Sequence, residues 1–266
     1  MSSANLARSE KALSLGITAE EWALRVQLAA CYRIFDLLGW TEYIFNHITL
    51  RVPGPEKHFL INPFGLWYSE VTASNLVKID LDGNTVGKSE YPVNKAGFVI
   101  HSAIHAVRPD AHCIMHTHTT AGVAVACQEQ GITPNNFYGS QLHGRIAYHD
   151  FEGISVELDE RPRLVKSLGD RNVMVLRNHG LLVCGGGVAE ALRGCSTCSA
   201  PARSSLPPKR RASRSPRSRS RFASGRRRRA KPSIPPAMAA DCSPRSSAAS
   251  TGSTPATANE RRLTAQ

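Results

Sequence analysis

The sequence predicts an α/β fold of the α+β type, with helices that pack on a mixed or antiparallel sheet. Short apolar and β-branched runs typical of strands lie between segments with the spacing of amphipathic helices. These runs do not follow the regular strand–helix–strand rhythm of a parallel sheet. The chain has 266 residues, 41% of them hydrophobic, which is enough for one substantial domain.

The N-terminal part of the chain contains start, stop and turn signals. Residues 1–17 are expected to form a flexible arm. Thr18-Ala-Glu-Glu21 is a capping box and predicts the start of a helix that ends at Gly39. Asp82-Gly83-Asn84 predicts a hairpin turn. The strands predicted in this part are His47–Val52, His58–Ile61, Val77–Leu81 and Thr85–Val86.

The remainder of the domain mixes short helices with short strands. Arg108-Pro109 ends one helix, because a residue before proline is disfavoured in the helical conformation. The predicted helices are Phe98–Val107, Thr119–Cys127 and Glu160–Leu168. The predicted strands are Ala111–Met115, Arg145–His149 and Val173–Leu176.

Three histidines are the candidate functional residues. His116 and His118 follow the predicted strand Ala111–Met115, and His179 lies just past Val173–Leu176. Because residues i and i+2 of a strand point to the same face, the His-x-His pair can bind one ion. With a third histidine as ligand, the ion would still have open coordination positions for water or substrate, as a catalytic site requires. The alternative is a pair of hydrogen-bonded histidines at the end of a strand.

The charge of the chain changes abruptly near residue 193. Residues 193–266 hold 17 Lys and Arg against 2 Asp and Glu, whereas residues 1–192 hold 16 basic and 19 acidic side chains. The mildly acidic body gives no indication of nucleic-acid binding. No signal peptide or apolar run of membrane-spanning length occurs, and the body's cysteines lie in apolar stretches, as in a reducing compartment. We therefore expect a cytoplasmic protein without membrane partners.

Several motifs around the histidines occur in order at suitable spacing. They are Phe45-Asn-His-Ile-Thr49, Arg51-Val-Pro-Gly-Pro55, Phe59-Leu-Ile-Asn-Pro-Phe-Gly65, Val71-Thr-Ala-Ser-Asn-Leu-Val-Lys78, Ala96-Gly-Phe-Val-Ile-His101, Arg108-Pro-Asp110 and Arg177-Asn-His-Gly180. Together with His116-x-His118, they resemble the class II aldolase/adducin family over roughly residues 20–192. The similarity is closer to the adducin-like branch than to the sugar-phosphate aldolases.

This resemblance implies a central, mostly antiparallel sheet between helical layers, assembled as a homotetramer. It implies that the three histidines bind a divalent metal, Zn²⁺ in the first place and Fe or Mn as alternatives, which stabilises an enolate of a small-molecule substrate. Asn46 and Gly65 match segments that bind the substrate. Tyr138 matches a tyrosine proton donor that acts across a subunit boundary.

One position departs from the pattern of the family. Counted back from His116 through Arg108-Pro-Asp110, the family's catalytic glutamate falls on Gly97. Glycine cannot accept a proton, so ordinary aldol cleavage lacks its base. Lys95 and Glu90 are not obvious replacements.

The sequence therefore leaves three functions open. The first is a metal-dependent lyase that cleaves, decarboxylates or dehydrates a small hydroxy-carbonyl compound. The second is a non-catalytic adducin-like module that associates with cytoskeletal or other proteins. The third is a non-haem Fe(II) decarboxylase or oxygenase.

The composition break falls inside a predicted helix that begins at Val188. If the codons of residues 193–204 are read in a frame that starts at the third base of each codon, the triplets can encode Trp-Met-Phe-Tyr-Leu-Gln-Arg-Ala-Cys-Glu-Ile. This segment is similar to the next helix of the family. We therefore hypothesise a one-base frame change near codon 190. The alternative is a genuine basic tail. Both predict a domain truncated after residue 192 and disorder over residues 193–266, where large apolar side chains are rare.

Other patterns give weaker functional signals. His101 and His105 have the i, i+4 spacing of a metal pair, although such a pair is more often a helix face that contacts a neighbour. Cys195-x-x-Cys198 resembles a redox or zinc half-site without a second pair. Arg226–Arg229 and Ser213–Arg221 resemble nucleic-acid or Arg/Ser segments, but they belong to the tail in question.

Overall fold

The computed structural model describes residues 12–153 and 158–204. The strands are β1 (His47–Arg51), β2 (Phe59–Ile61), β3 (Val77–Ile79), β4 (Cys113–Thr117), β5 (Ile146–His149), β6 (Val173–Leu176) and β7 (Gly180–Gly185). The α-helices are α1 (Ala19–Leu37), α2 (Lys95–Val107), α3 (Thr120–Ala126), α4 (Phe137–Leu142), α5 (Arg161–Leu168) and α6 (Val188–Ser204). Short 3₁₀ turns occupy Tyr68–Glu70 and Leu158–Glu160.

The strands form one sheet in the order β3-β2-β1-β4-β7-β6-β5. Neighbouring strands are antiparallel except for the parallel pair β5–β6. Buried strand residues pack on both faces of the sheet: α1, α3, α4 and α6 cover one face, and α2 and α5 cover the other. The predicted α/β fold with a mostly antiparallel sheet between helical layers is confirmed.

The start of α1 shows half of the predicted capping box. Thr18 Oγ1 accepts the Glu21 N–H at 3.0 Å. The Glu21 carboxylate pairs with Arg25 at 2.8 Å and with Lys78 at 2.7 Å. Arg25 also donates to the Leu76 carbonyl at 2.7 Å. These contacts attach α1 to β3, at the edge of the sheet.

Several elements differ from the prediction. Strand β4 is Cys113–Thr117 rather than Ala111–Met115, helix α4 was not predicted, and the predicted strand Thr85–Val86 is reduced to an isolated bridge between Thr85 and Ile79. Helix α2 begins at Lys95 rather than at Phe98. Strand β7 was not predicted, because glycines at both ends hide its short apolar run, although both are sterically required. A Cβ at Gly180 would lie 2.4 Å from the Thr117 carbonyl oxygen, and one at Gly185 would lie 2.7 Å from the Ala191 nitrogen.

The N-terminal arm is described in part. Residues 12–17 form a hydrogen-bonded turn in which Leu15 and Ile17 N–H groups donate to the carbonyl of Ala12. Ala12 itself is buried. The predicted flexibility of residues 1–11 lies outside the described residues. Within the described ranges, no helix combines the length and the apolar character needed to cross a membrane.

The predicted end of the domain at residue 192 is wrong. Helix α6 continues to Ser204, and Cys195, Cys198 and Ala202 are buried in the core. Their spacing of three and four residues places small apolar side chains on one helix face, a pattern that the basic average of the tail conceals. Gly194 permits close packing on β7, because a Cβ there would lie 2.5 Å from Val183. Residues 205–266 lie outside the described residues, and the frame change stays a prediction.

Candidate metal centre

The three candidate histidines meet at one end of the β4–β7 pair. His116 Nε2 lies 2.7 Å from His118 Nε2 and 3.2 Å from His179 Nε2. All three ligand atoms lie within 4.8 Å of one another. Tetrahedral zinc places its nitrogen ligands about 3.3 Å apart, given Zn–N bonds of about 2.0–2.1 Å. Small ring movements would therefore let the three imidazoles surround one ion.

Hydrogen bonding around His116 favours an ion over a simple histidine pair. His116 Nδ1 lies 3.0 Å from the Leu181 carbonyl oxygen, which can only accept, so Nδ1 carries the proton. Nε2 of His116 then has a single lone pair, and both His118 Nε2 and His179 Nε2 lie within hydrogen-bond distance of it. One lone pair cannot accept from both. A cation shared by three deprotonated Nε2 atoms satisfies all of them.

The segment Arg177-Asn-His-Gly180 forms the turn that presents His179. Asn178 has φ +54°, a left-handed conformation that asparagine tolerates better than most residues. Its N–H donates to the Ala126 carbonyl, which fixes the turn on α3. Arg177 donates to the Gln128 carbonyl at 2.7 Å. Gly180 lets β7 approach β4, so the turn places His179 beside His116.

The environment keeps the three imidazoles neutral. Burial lowers the pKa of His116 well below its ordinary value, and the neighbouring His179 and His118 lower it further. Burial also lowers the pKa of His118. For His179, burial and then the nearby His118 lower the pKa to about 4. Neutral imidazoles have the lone pairs that a metal needs.

A cavity of about 760 Å³ opens above the histidines. Apolar side chains form much of its wall, including Phe45, Phe64 and Phe151. Glu42 and Lys95 contribute the only charged side chains among the described lining residues. Lys95 lies at the start of α2, whereas Glu42 and the three phenylalanines lie on loops that only the fold brings together, so the sequence did not predict their place in the wall.

Neither Gly65 nor Tyr138 is among the described residues that line this cavity. Gly65 lies beside the lining residue Phe64 and has φ +101°, a conformation that favours glycine. Tyr138 lies on α4 and is 44% exposed. The roles predicted for both residues therefore stay predictions.

Asn46 supports the centre rather than facing the cavity. Its side-chain oxygen accepts the His118 N–H at 2.9 Å, and its amide donates to the Trp40 carbonyl at 2.8 Å. The residue is 1% exposed. Both ends of the amide are thus engaged, and Asn46 holds the backbone of one candidate ligand in place.

The two other predicted histidine and cysteine pairs have structural roles. His101 and His105 each lie 2.8 Å from Thr49 Oγ1, so they are a helix face that contacts the sheet. Cys195 and Cys198 are buried in the core, and burial raises the pKa of Cys198 to about 12. The weak metal and redox interpretations of these pairs are not supported by the structure.

A mostly antiparallel sheet, helices on both faces and three convergent histidines define the class II aldolase type of protein. The chain belongs to the Class II Aldolase and Adducin N-terminal domain family, whose model matches residues 26–204.

Relatives come from both branches of this family. Rat alpha-adducin is 50% identical over 181 residues, which are 67% of this chain and 24% of alpha-adducin. An aldolase II superfamily protein from Pseudomonas syringae has 48% identity and a TM-score of 0.69, covering 70% of this chain and 76% of that one. L-fuculose 1-phosphate aldolase from Glaciozyma antarctica has 30% identity and a TM-score of 0.63, covering 70% and 73%.

Proposed function

We propose that this protein is a metal-dependent lyase acting on a small hydroxylated carbonyl or carboxylate compound. The observation that carries this proposal is the single lone pair of His116 Nε2, which faces two further histidine nitrogens. Similarity to a fuculose-phosphate aldolase supports the type of reaction. The cavity volume of about 760 Å³ is suited to a small molecule.

The residues of the site have distinct tasks in this proposal. His116, His118 and His179 would hold the ion through Nε2, while the Leu181 carbonyl and Asn46 fix two of these ligands. A bound divalent metal supplies Lewis-acid chemistry, which stabilises the negative charge that develops when a bond beside a carbonyl breaks. The apolar walls exclude water and so strengthen electrostatic interactions inside the cavity.

The proposal also covers the metal, the assembly, the proton donor and the location of the protein. Zn²⁺ suits a site of three imidazoles, with Mn or Fe as alternatives. The family resemblance implies that Tyr138 would donate a proton to the site of a neighbouring copy in a homotetramer, and its exposed position on α4 is compatible with this role. A cytoplasmic location is proposed on the basis of the unpaired buried cysteines.

A non-catalytic adducin-like module is the second candidate. Position 97 is glycine, and the described metal cluster contains no carboxylate. The identity of 50% to alpha-adducin also favours this candidate. A non-haem Fe(II) enzyme is the third, because three histidines with open positions also suit iron.

Metal analysis distinguishes these candidates. The purified chain, His118→Ala and the control His143→Ala, an exposed histidine, would be saturated with each metal, desalted and measured by mass spectrometry. One ion per chain is expected in the wild type and the control, and much less in His118→Ala. Tight binding of Zn or Mn supports the lyase, and tight binding of Fe supports the oxygenase. No retained metal supports the non-catalytic module.

A further inference from the structure

His47 fills the space beside the metal centre that a side chain at position 97 would need. Strand pairing places His47 opposite His116, and their ring centroids lie 5.0 Å apart. A Cβ at Gly97 would lie 2.7 Å from His47 Cδ2 and 3.1 Å from His47 Nε2. Real Cβ atoms do not approach so closely, so the imidazole and a side chain at position 97 exclude each other.

His47 is also the end of a buried hydrogen-bond chain. His47 Nδ1 lies 3.1 Å from His101 Nε2. His101 Nδ1 and His105 Nε2 each lie 2.8 Å from Thr49 Oγ1. All four side chains are buried. Since every imidazole and hydroxyl in the chain can both donate and accept, Nδ1 of His47 is engaged whichever way the chain runs.

This series of hydrogen bonds leaves Nε2 as the ring nitrogen of His47 that can contact a ligand. The ring lines the cavity, and the described residues give its Nε2 no hydrogen-bond partner. His101 holds the opposite side of the ring, so the direction of Nε2 is fixed before a ligand arrives. Such preorganisation is what a group that orients a substrate requires.

We infer that His47 contacts the substrate in place of the side chain that is missing at Gly97. Its Nε2 hydrogen-bonds an oxygen of the hydroxy-carbonyl compound next to the three-histidine centre. The ring stays neutral and orients the substrate, and no proton is transferred. This inference rests on the proposed metal-dependent function.

The steric part of the inference is tested without metal. Gly97→Ala would be made in the wild-type and in the His47→Asn background, and unfolding would be followed in urea. Gly97→Ala should lower the unfolding midpoint in the wild type, and much less beside the smaller asparagine. Equal losses in both backgrounds would show that the His47 ring does not occupy the space, and would overturn the inference.

The substrate contact is tested by two matched variants. His47→Asn keeps a polar group near the Nδ1 position and removes Nε2, whereas His47→Gln keeps a polar group near Nε2. The Co²⁺-loaded full chain would be titrated with acetohydroxamate, a small compound with neighbouring carbonyl and hydroxyl oxygens. His47→Asn should weaken binding about five-fold, which is typical of one hydrogen bond, and His47→Gln should stay within about two-fold of wild type. Cobalt content should be equal in all three.

Each contrary outcome has a distinct meaning. Unchanged affinity of His47→Asn overturns the substrate contact. Loss of cobalt from His47→Asn also overturns it, because His47 would then act as support or ligand of the metal. If the wild type itself takes up no cobalt, the proposed function fails, while the urea comparison still decides whether His47 replaces a side chain at position 97.

Discussion

Replacing Asn46 with alanine is expected to weaken both the fold and metal binding. The side chain is 1% exposed and engages the His118 N–H at 2.9 Å and the Trp40 carbonyl at 2.8 Å. Its removal leaves one buried donor and one buried acceptor unpaired, at a cost of about 1–3 kcal/mol each. The free energy of unfolding should therefore fall by about 2–6 kcal/mol.

Metal affinity should fall with it, because Asn46 fixes the backbone of a ligand. Loss of such a supporting contact typically costs about 10- to 100-fold in affinity. Urea denaturation of the metal-free protein and zinc titration against a competing chelator measure the two effects. Asn84→Ala is the control, since that amide bonds Asp80 on the exposed surface. If Asn46→Ala unfolds within about 0.5 kcal/mol of wild type and keeps its zinc affinity, neither the fold nor the metal centre depends on these two hydrogen bonds.

The remaining predictions concern pH, helix α6 and the reading frame. Burial lowers the pKa of His105 from 6.5 to about 3, so the unfolded chain gains a proton, and the fold loses stability, as pH falls below 6.5. Between pH 6.5 and 5, the free energy of unfolding of the metal-free protein, measured in urea, should therefore fall by about 2 kcal/mol more in wild type than in His105→Gln. An equal fall in both proteins contradicts this. Ala202→Asp, which buries a carboxylate, should cost about 3 kcal/mol or more, whereas the exposed Arg203→Asp should stay within about 0.5 kcal/mol. Equal effects in thermal unfolding would count against the packing of α6. Sequencing the locus should show that the alternative frame encodes the residue pattern of an amphipathic helix. If it does not, the frame-change hypothesis is wrong.

Local patterns were sufficient to predict much of the fold. Period-two alternation and turn residues indicated the central strands, and the i, i+2 relation brought His116 and His118 together. Strand β7 was missed because glycines at both ends hide its apolar run, and the continuation of α6 was missed because it packs through alanine and cysteine. Such small residues give a weak hydrophobic signal, and only the neighbouring element shows why they are needed.

The site required long-range information that spacing alone does not contain. His179 was assigned through resemblance to a family, since a turn far along the chain gives no geometric relation to β4. The position of His47 opposite His116 depends on strand register. The contacts of Asn46 similarly depend on how its loop returns to β4. Neither arrangement can be derived from local sequence patterns.

The proposed function requires His116, His118 and His179 to bind one divalent ion. X-ray absorption at the zinc edge of the stoichiometrically loaded protein tests it most directly. We predict three imidazole nitrogens at about 2.0–2.1 Å and lighter oxygen ligands in the open positions. A spectrum with sulfur at about 2.3 Å, or one unchanged when all three histidines are replaced by alanine, would contradict the claim.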